Sequence, residues 1–163
     1  ETDPAEPLNS WYSKTKRLGE IGIEKIFAKD KSWTIIRISF PYADYYERKL
    51  DIARTVIDKL ENGQVYYGVT DEKIKPTHVS EISRAVNLVA SKEASGIYHV
   101  AGDWPGGFIS PYNFAQKIAK DNNLDASLIK PITFKNFIKT KTAPRPQHTW
   151  LDTTKIKNLS GLC

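Results

Sequence analysis

The chain has 163 residues, 40% of them hydrophobic and 26% charged, with a formal net charge of +5. That is enough apolar content for one globular domain or most of one, and too patterned for disorder. No apolar run nears membrane-spanning length, no secretory signal is present, and the single cysteine, Cys163, has no partner in the chain, so a soluble, cytoplasmic protein without disulfides is expected.

In chain order, Leu18, Ile21, Ile26 and Phe27 recur at helical spacing after Tyr12 and predict a helix ending near residues 29–31. Residues 33–40 are β-rich and mostly apolar, as in a strand covered on both faces. A second helix is expected over residues 51–60, with Asn62-Gly63 as its stop, followed by a short strand at 64–67. Ser80 is read as the cap of a third helix through Ile82, Ala85, Val86, Val89 and Ala90, with Glu81 favouring its N-terminal dipole. Residues 97–100 form the next strand. Gly102 to Gly107 make a turn-rich loop whose Trp104 is either a surface aromatic or packs the loop onto a neighbouring helix. Ser110-Pro111 then opens a fourth helix through Phe114, Ile118 and Ala119. Alternating strands and helices predict α/β layering.

The most informative spacing lies at the start of the first helix. Tyr12 and Lys16 are four residues apart and share one face, so an ammonium at Lys16 favours the phenolate of Tyr12 and makes that phenol a usable acid. The same ammonium has donors to spare for sugar hydroxyls. A tyrosine and a lysine on a solvated face remain the plain alternative. The surrounding residues Glu1, Asp3, Pro4, Pro7, Asn9, Thr15, Gly19 and Glu20, with the later runs at 35–42, 76–79, 96–102 and 143–146, resemble the extended short-chain dehydrogenase/reductases, and most closely the dTDP-4-dehydrorhamnose reductase-like group.

That resemblance implies a Rossmann-like α/β fold and reduction of a nucleotide-linked 4-keto sugar by NADP or NAD. In it, Tyr12 protonates the keto oxygen and Lys16 holds ribose. Phe40 and Pro41 line the cofactor pocket, Phe40 and Tyr42 border the substrate, and Arg145, between two prolines, grips the substrate's diphosphate. Ala43 stands where the group usually has glycine. No G-x-x-G-x-x-G run, upstream Ser/Thr or methionine occurs, so the chain is expected to be the C-terminal portion of a longer reductase, with the N-terminal cofactor-binding half absent and the chain alone inactive. Residues 1–45 are read as the end of the Rossmann-like core and 46–163 as mainly substrate-binding. An epimerase or dehydratase of the same superfamily, or a non-catalytic regulatory subunit on the same fold, are the alternatives.

Charge is uneven. Between Asp125 and Asp152 no acidic residue occurs, while Lys130, Lys135, Lys139, Lys141 and Arg145 all do. This suits a nucleotide-sugar phosphate, with a solvated basic face as the alternative. Phe134, Phe137 and Trp150 interleave with these charges, yet no nucleic-acid motif accompanies them, so no nucleic-acid or membrane partner is expected and homo-oligomerisation stays open. His78, His99 and His148 are scattered without metal-ligand spacing. His78 and His99 read as hydrogen-bonded structure in strands, and Thr77 with His78 as a stretch that borders the cleft in relatives.

Overall fold

The computed structural model describes residues 10–29, 32–45 and 49–160. Glu1, Asp3, Pro4, Pro7, Asn9, Lys31 and Cys163 lie outside them. Helix α1 (Trp11–Ile26) starts at Ser10, whose hydroxyl accepts from Ser13 N at 3.2 Å, and stops at Phe27, short of the expected end. Strand β1 (Thr34–Ile38) leads through a turn into the short β2 (Pro41–Tyr42) and then α2 (Ile52–Glu61). Asp51 caps α2 by accepting from Arg54 N at 3.0 Å, and Gly63 at φ 65° ends it in the left-handed conformation that glycine tolerates.

The remaining elements are β3 (Tyr66–Val69), β4 (Thr77–His78), α3 (Val79–Ser91), β5 (Gly96–Val100), α4 (Pro111–Asp121), β6 (Ile129–Ile132), α5 (Phe134–Ile138) and α6 (Thr154–Ser160). Ser110 caps α4 with Pro111 in its first turn, as the sequence indicates. The α3 cap differs from expectation. His78 fills it rather than Ser80: its ring accepts from Ser80 N at 3.3 Å, while Glu81 accepts from His78 N at 3.1 Å. An imidazole nitrogen thus does what a serine hydroxyl usually does.

The strands form three parallel pairs, β1 with β5, β2 with β4, and β3 with β6. Around them the core divides into two clusters. Val56 and Leu60 of α2 and Ala115 and Ala119 of α4 close over Ile129, while Ala85 and Val89 of α3 and Ile156 of α6 close over Tyr98 and Val100. Gly68 lets β3 approach α4, since an added Cβ would stand 2.6 Å from Tyr112 Cα.

Thr77 ties together the turn after β1, the loop before β4 and the segment after β5. Fully buried, its hydroxyl donates between the carbonyls of Ser39 (2.9 Å) and Lys75 (3.0 Å) and accepts from Gly102 N at 3.1 Å. It is therefore a structural joint rather than a cleft residue. Trp104 resolves toward packing: its ring meets Phe114 of α4 edge-on at 5.6 Å, and its Nε1 donates to Pro76 O at 3.0 Å.

Strand β1 is covered unevenly along its length. Only Ile35 is buried in it, and Ile38 is 43% exposed. The α3 and α6 cluster takes up Ile36, whereas on the opposite face, which strand alternation gives to the buried Ile35 and to Arg37, Arg37 meets α1 through an ion pair with Glu20. No residue of α1 is buried among the described residues. Among the described residues, no helix is long and apolar enough to cross a membrane.

Candidate functional site

Helix α1 presents Tyr12 and Lys16 together, with Lys16 Nζ 5.6 Å from the Tyr12 ring centroid. Both are exposed. The carboxylate of Glu20, one turn further on, receives Arg37 Nε and Nη2, each at 2.8 Å. Arg17 adds a third contact at 3.1 Å, and these guanidinium hydrogen bonds hold the Glu20 carboxyl below the usual carboxylate range. The pair fixes the helix that carries Tyr12 to the strand that leads into the Phe40 turn.

Phe40 adopts φ 43°, a left-handed conformation that costs a bulky side chain energy and recurs at ligand sites. Asp51 anchors the turn by accepting from Ala43 N at 3.1 Å while pairing with Arg54 at 2.8 Å. Ala43 is not among the residues with positive φ, so alanine serves there without the freedom of glycine. Tyr42 packs edge-on against His78 (5.2 Å) and Phe114 (5.5 Å), and burial raises its hydroxyl pKa, with Glu81 and Asp44 adding to the rise.

Two grooves adjoin at this turn. One, of about 610 Å³, is lined by Phe40, Pro41, Tyr42 and the residues that open α2. The other, of about 710 Å³, runs from Phe40 past Tyr66 and Glu72 to Phe137, Lys141 and Arg145. Phe40 and Arg145, 105 positions apart in the chain, thus line one cavity. Phe40 is also shared with Pro41 and Tyr42, whereas Tyr12 and Lys16 line neither groove.

The groove wall carries a residue that the sequence did not single out. Glu72 is buried, and burial pushes its carboxyl up to about 7 against the pull of Arg145, with Asp71 adding to the rise. The available signal was its place just past β3, at the C-terminal edge of a parallel strand, where α/β proteins bind ligands. Tyr66 opposite is pushed up to about 12 by burial and by Glu72. His78 Nε2 lies 3.4 Å from Asp44 Oδ1 and His99 Nδ1 3.2 Å from Asp152 O, which gives both rings structural partners. No three His, Cys, Asp or Glu side chains are grouped to hold a metal among the described residues.

A family model described as the RmlD substrate binding domain matches residues 1–162. The chain belongs to this family. Among solved structures, a dTDP-4-dehydrorhamnose reductase from Clostridium acetobutylicum is 25% identical with a TM-score of 0.81, over 99% of this chain and 52% of that one. A hypothetical dTDP-4-dehydrorhamnose reductase from Sulfolobus tokodaii is 25% identical with a TM-score of 0.76, over 97% and 50%. The Bacillus anthracis enzyme, solved in complex with NADP, is 24% identical with a TM-score of 0.78, over 93% and 50%. The chain therefore spans about half the length of these structures, and its mixed α/β fold with parallel strands is that of the Rossmann-like extended short-chain reductases. The sequence matches no curated protein.

Proposed function

We propose that the chain forms the substrate-binding portion of an NAD(P)H-dependent reductase of a nucleotide-linked 4-keto sugar. The observation that carries this reading is the Tyr12–Lys16 face on α1, in a chain of the RmlD substrate binding domain family. The residues fit the cofactor in part. Tyr12 and Lys16 suit its ribose and the reacting carbonyl, but the 163 residues contain no Gly-rich turn for its diphosphate. When bound, the cofactor supplies the hydride.

In this reading Tyr12 donates its phenolic proton to the keto oxygen, and Lys16 favours loss of that proton while hydrogen-bonding the ribose hydroxyls. Phe40 and Pro41 wall the nicotinamide side, Phe40 and Tyr42 border the sugar, and Arg145 holds the diphosphate with its two-pronged donor. Residues 1–45 contribute the acid and the cofactor edge, and 46–163 mainly the substrate groove. A cytoplasmic setting, with a nucleotide sugar rather than nucleic acid or membrane as partner, belongs to the same proposal.

The test is Tyr12→Phe in a full-length reductase carrying this chain. Turnover falls roughly 10²-fold or more while NADPH affinity holds, because only the donatable proton is lost. Lys16→Ala weakens cofactor binding as well. Turnover of Tyr12→Phe within a few-fold of the parent overturns the reading.

A further inference from the structure

Asp51 lies where the two grooves meet. It lines both of them, together with Phe40, Lys49, Leu50 and Ile52, and its side chain is only 12% exposed. Its two carboxylate oxygens have separate tasks. Oδ1 accepts from Arg54 N at 3.0 Å and caps α2. Oδ2 reaches the turn after β2, accepting from Ala43 N at 3.1 Å while Arg54 Nε donates to it at 2.8 Å. Arg54 Nη2 donates in turn to Lys49 O at 2.7 Å, so the same guanidinium also holds the chain that leads into the helix. One oxygen builds the helix, and the other ties it to the turn.

That second tie falls on a strained segment. Phe40 stands at φ 43°, and a bulky residue keeps such a conformation only when the structure around it fixes the chain on both sides. Before it, Thr77 Oγ1 donates to Ser39 O at 2.9 Å and Ser39 Oγ donates to Thr149 O at 3.1 Å, while Thr77 N donates to Phe40 O at 3.2 Å. After it, the turn is held by the β2–β4 pairing and by Asp51. The Ala43–Asp51 bond joins the turn to α2, whose first residues supply another stretch of wall to both grooves. Its length therefore fixes how far the Phe40 turn stands from the helix.

We infer that Asp51 is a positioning residue, whose Oδ2 holds the Phe40 turn against α2 and so sets the opening that receives the sugar of the ligand. The inference rests on the nucleotide-sugar reading above and adds to it a residue that acts through the turn. A carboxylate is what the geometry requires. Oδ2 receives two N–H groups, and an amide nitrogen in its place would meet them with donors of its own. An amide turned over would satisfy Ala43 N and Arg54 Nε, but only by aiming that nitrogen at Arg54 N and giving up the cap.

Asp51→Asn separates the two tasks, because asparagine caps a helix as well as aspartate does. Helix α2 survives, and the tie to the turn is lost. Asp51→Ser also caps but is too short to reach Ala43, and it behaves in the same way. The test is calorimetry on the 163-residue chain at one pH with dTDP-glucose and with dTDP. Affinity for dTDP-glucose falls roughly fivefold in both variants, the worth of one hydrogen bond. dTDP lacks the sugar and engages only the Arg145 end, so its affinity stays at the parent's value. In proton NMR, the Ala43 amide loses its carboxylate partner in both variants, moving upfield and exchanging faster, while the Arg54 amide stays protected. Parent-like affinity for dTDP-glucose, or an unmoved Ala43 amide, overturns the role of Asp51. Equal losses for both ligands would reduce Asp51 to a support of the fold, and overturn it too. Each of these results leaves the nucleotide-sugar reading intact. That reading fails if the parent chain binds neither ligand up to millimolar concentration, and the positioning role then falls with it.

Discussion

Arg145 and Glu72 both line the groove that begins at Phe40. Arg145 presents parallel donors that one ammonium cannot reproduce, so under the proposed function Arg145→Lys weakens dTDP-glucose binding by about tenfold without a matching loss of fold, measured by calorimetry alongside circular dichroism. Glu72 also carries a signature in stability. Its carboxyl ionises near the usual 4.5 when unfolded but only near 7 when folded, so the native state holds a proton that the unfolded state has lost between those values. Stability is therefore full below about pH 4.5, falls as pH rises to about 7, and is level above it. Glu72→Gln removes that loss and is more stable than the parent at pH 8 by on the order of 2 kcal/mol, and equal to it at pH 4, as urea denaturation at the two pH values would show. Equal stability at pH 8 would mean that Glu72 ionises freely in the folded chain.

At the scale of elements, α1 stands apart. With no buried residue among those described, it is held to β1 by the Glu20–Arg37 pair rather than by an apolar face. A 16-residue helix is marginal in water without such support. Arg37→Met therefore costs about 1–3 kcal/mol locally and lowers the helical circular dichroism signal while the near-ultraviolet spectrum of the rest persists. Acid acts in the same way by a different route. Because Glu20 is held below the usual carboxylate range, its contribution is present above that range and is lost only as pH falls through the lowered value, a window opposite in sign to that of Glu72. Helices α1 to α4 and strands β1, β3 and β5 were legible in the sequence, and β4 only as a strand-like segment at His78, whereas the short β2, β6, α5 and α6 were not. Ser110-Pro111 and Asn62-Gly63 marked helix ends through local backbone chemistry, which acts over a few residues. The exposure of α1 and β1 was not legible, since periodicity shows which residues are apolar and not what covers them. Nor was the His78 cap, because an imidazole is not a usual capping group. For the site, the Tyr12–Lys16 spacing could be read because both residues lie on one helix, whereas Phe40, Glu72 and Arg145 come together only through tertiary packing.

Among the described residues the core divides into two hydrophobic clusters, and Thr77 joins the turn after β1, the loop before β4 and the segment after β5. Thr77→Val keeps the shape and removes the hydroxyl, leaving the Gly102 amide buried without a partner at a cost of about 1–3 kcal/mol. Urea unfolding followed separately by Tyr and Trp signals would then lose its coincidence if the clusters part company, and coincident curves would show that other contacts suffice to bind them. The chain by itself also binds NADPH weakly, because no glycine-rich turn is present to supply backbone donors for the diphosphate, and micromolar affinity by fluorescence titration would contradict this. The bond from Gly102 N to Thr77 Oγ1 has one more consequence. An amide held by a fully buried hydroxyl has no small local opening through which solvent deuterium can enter, whereas the Ser13 amide, bonded at the edge of the exposed α1, has many. Gly102 becomes the slow clock of the molecule: its exchange rate reports the free energy of opening everything at once, and the gap between the two amides measures how far α1 can come loose while the rest of the protein stays shut.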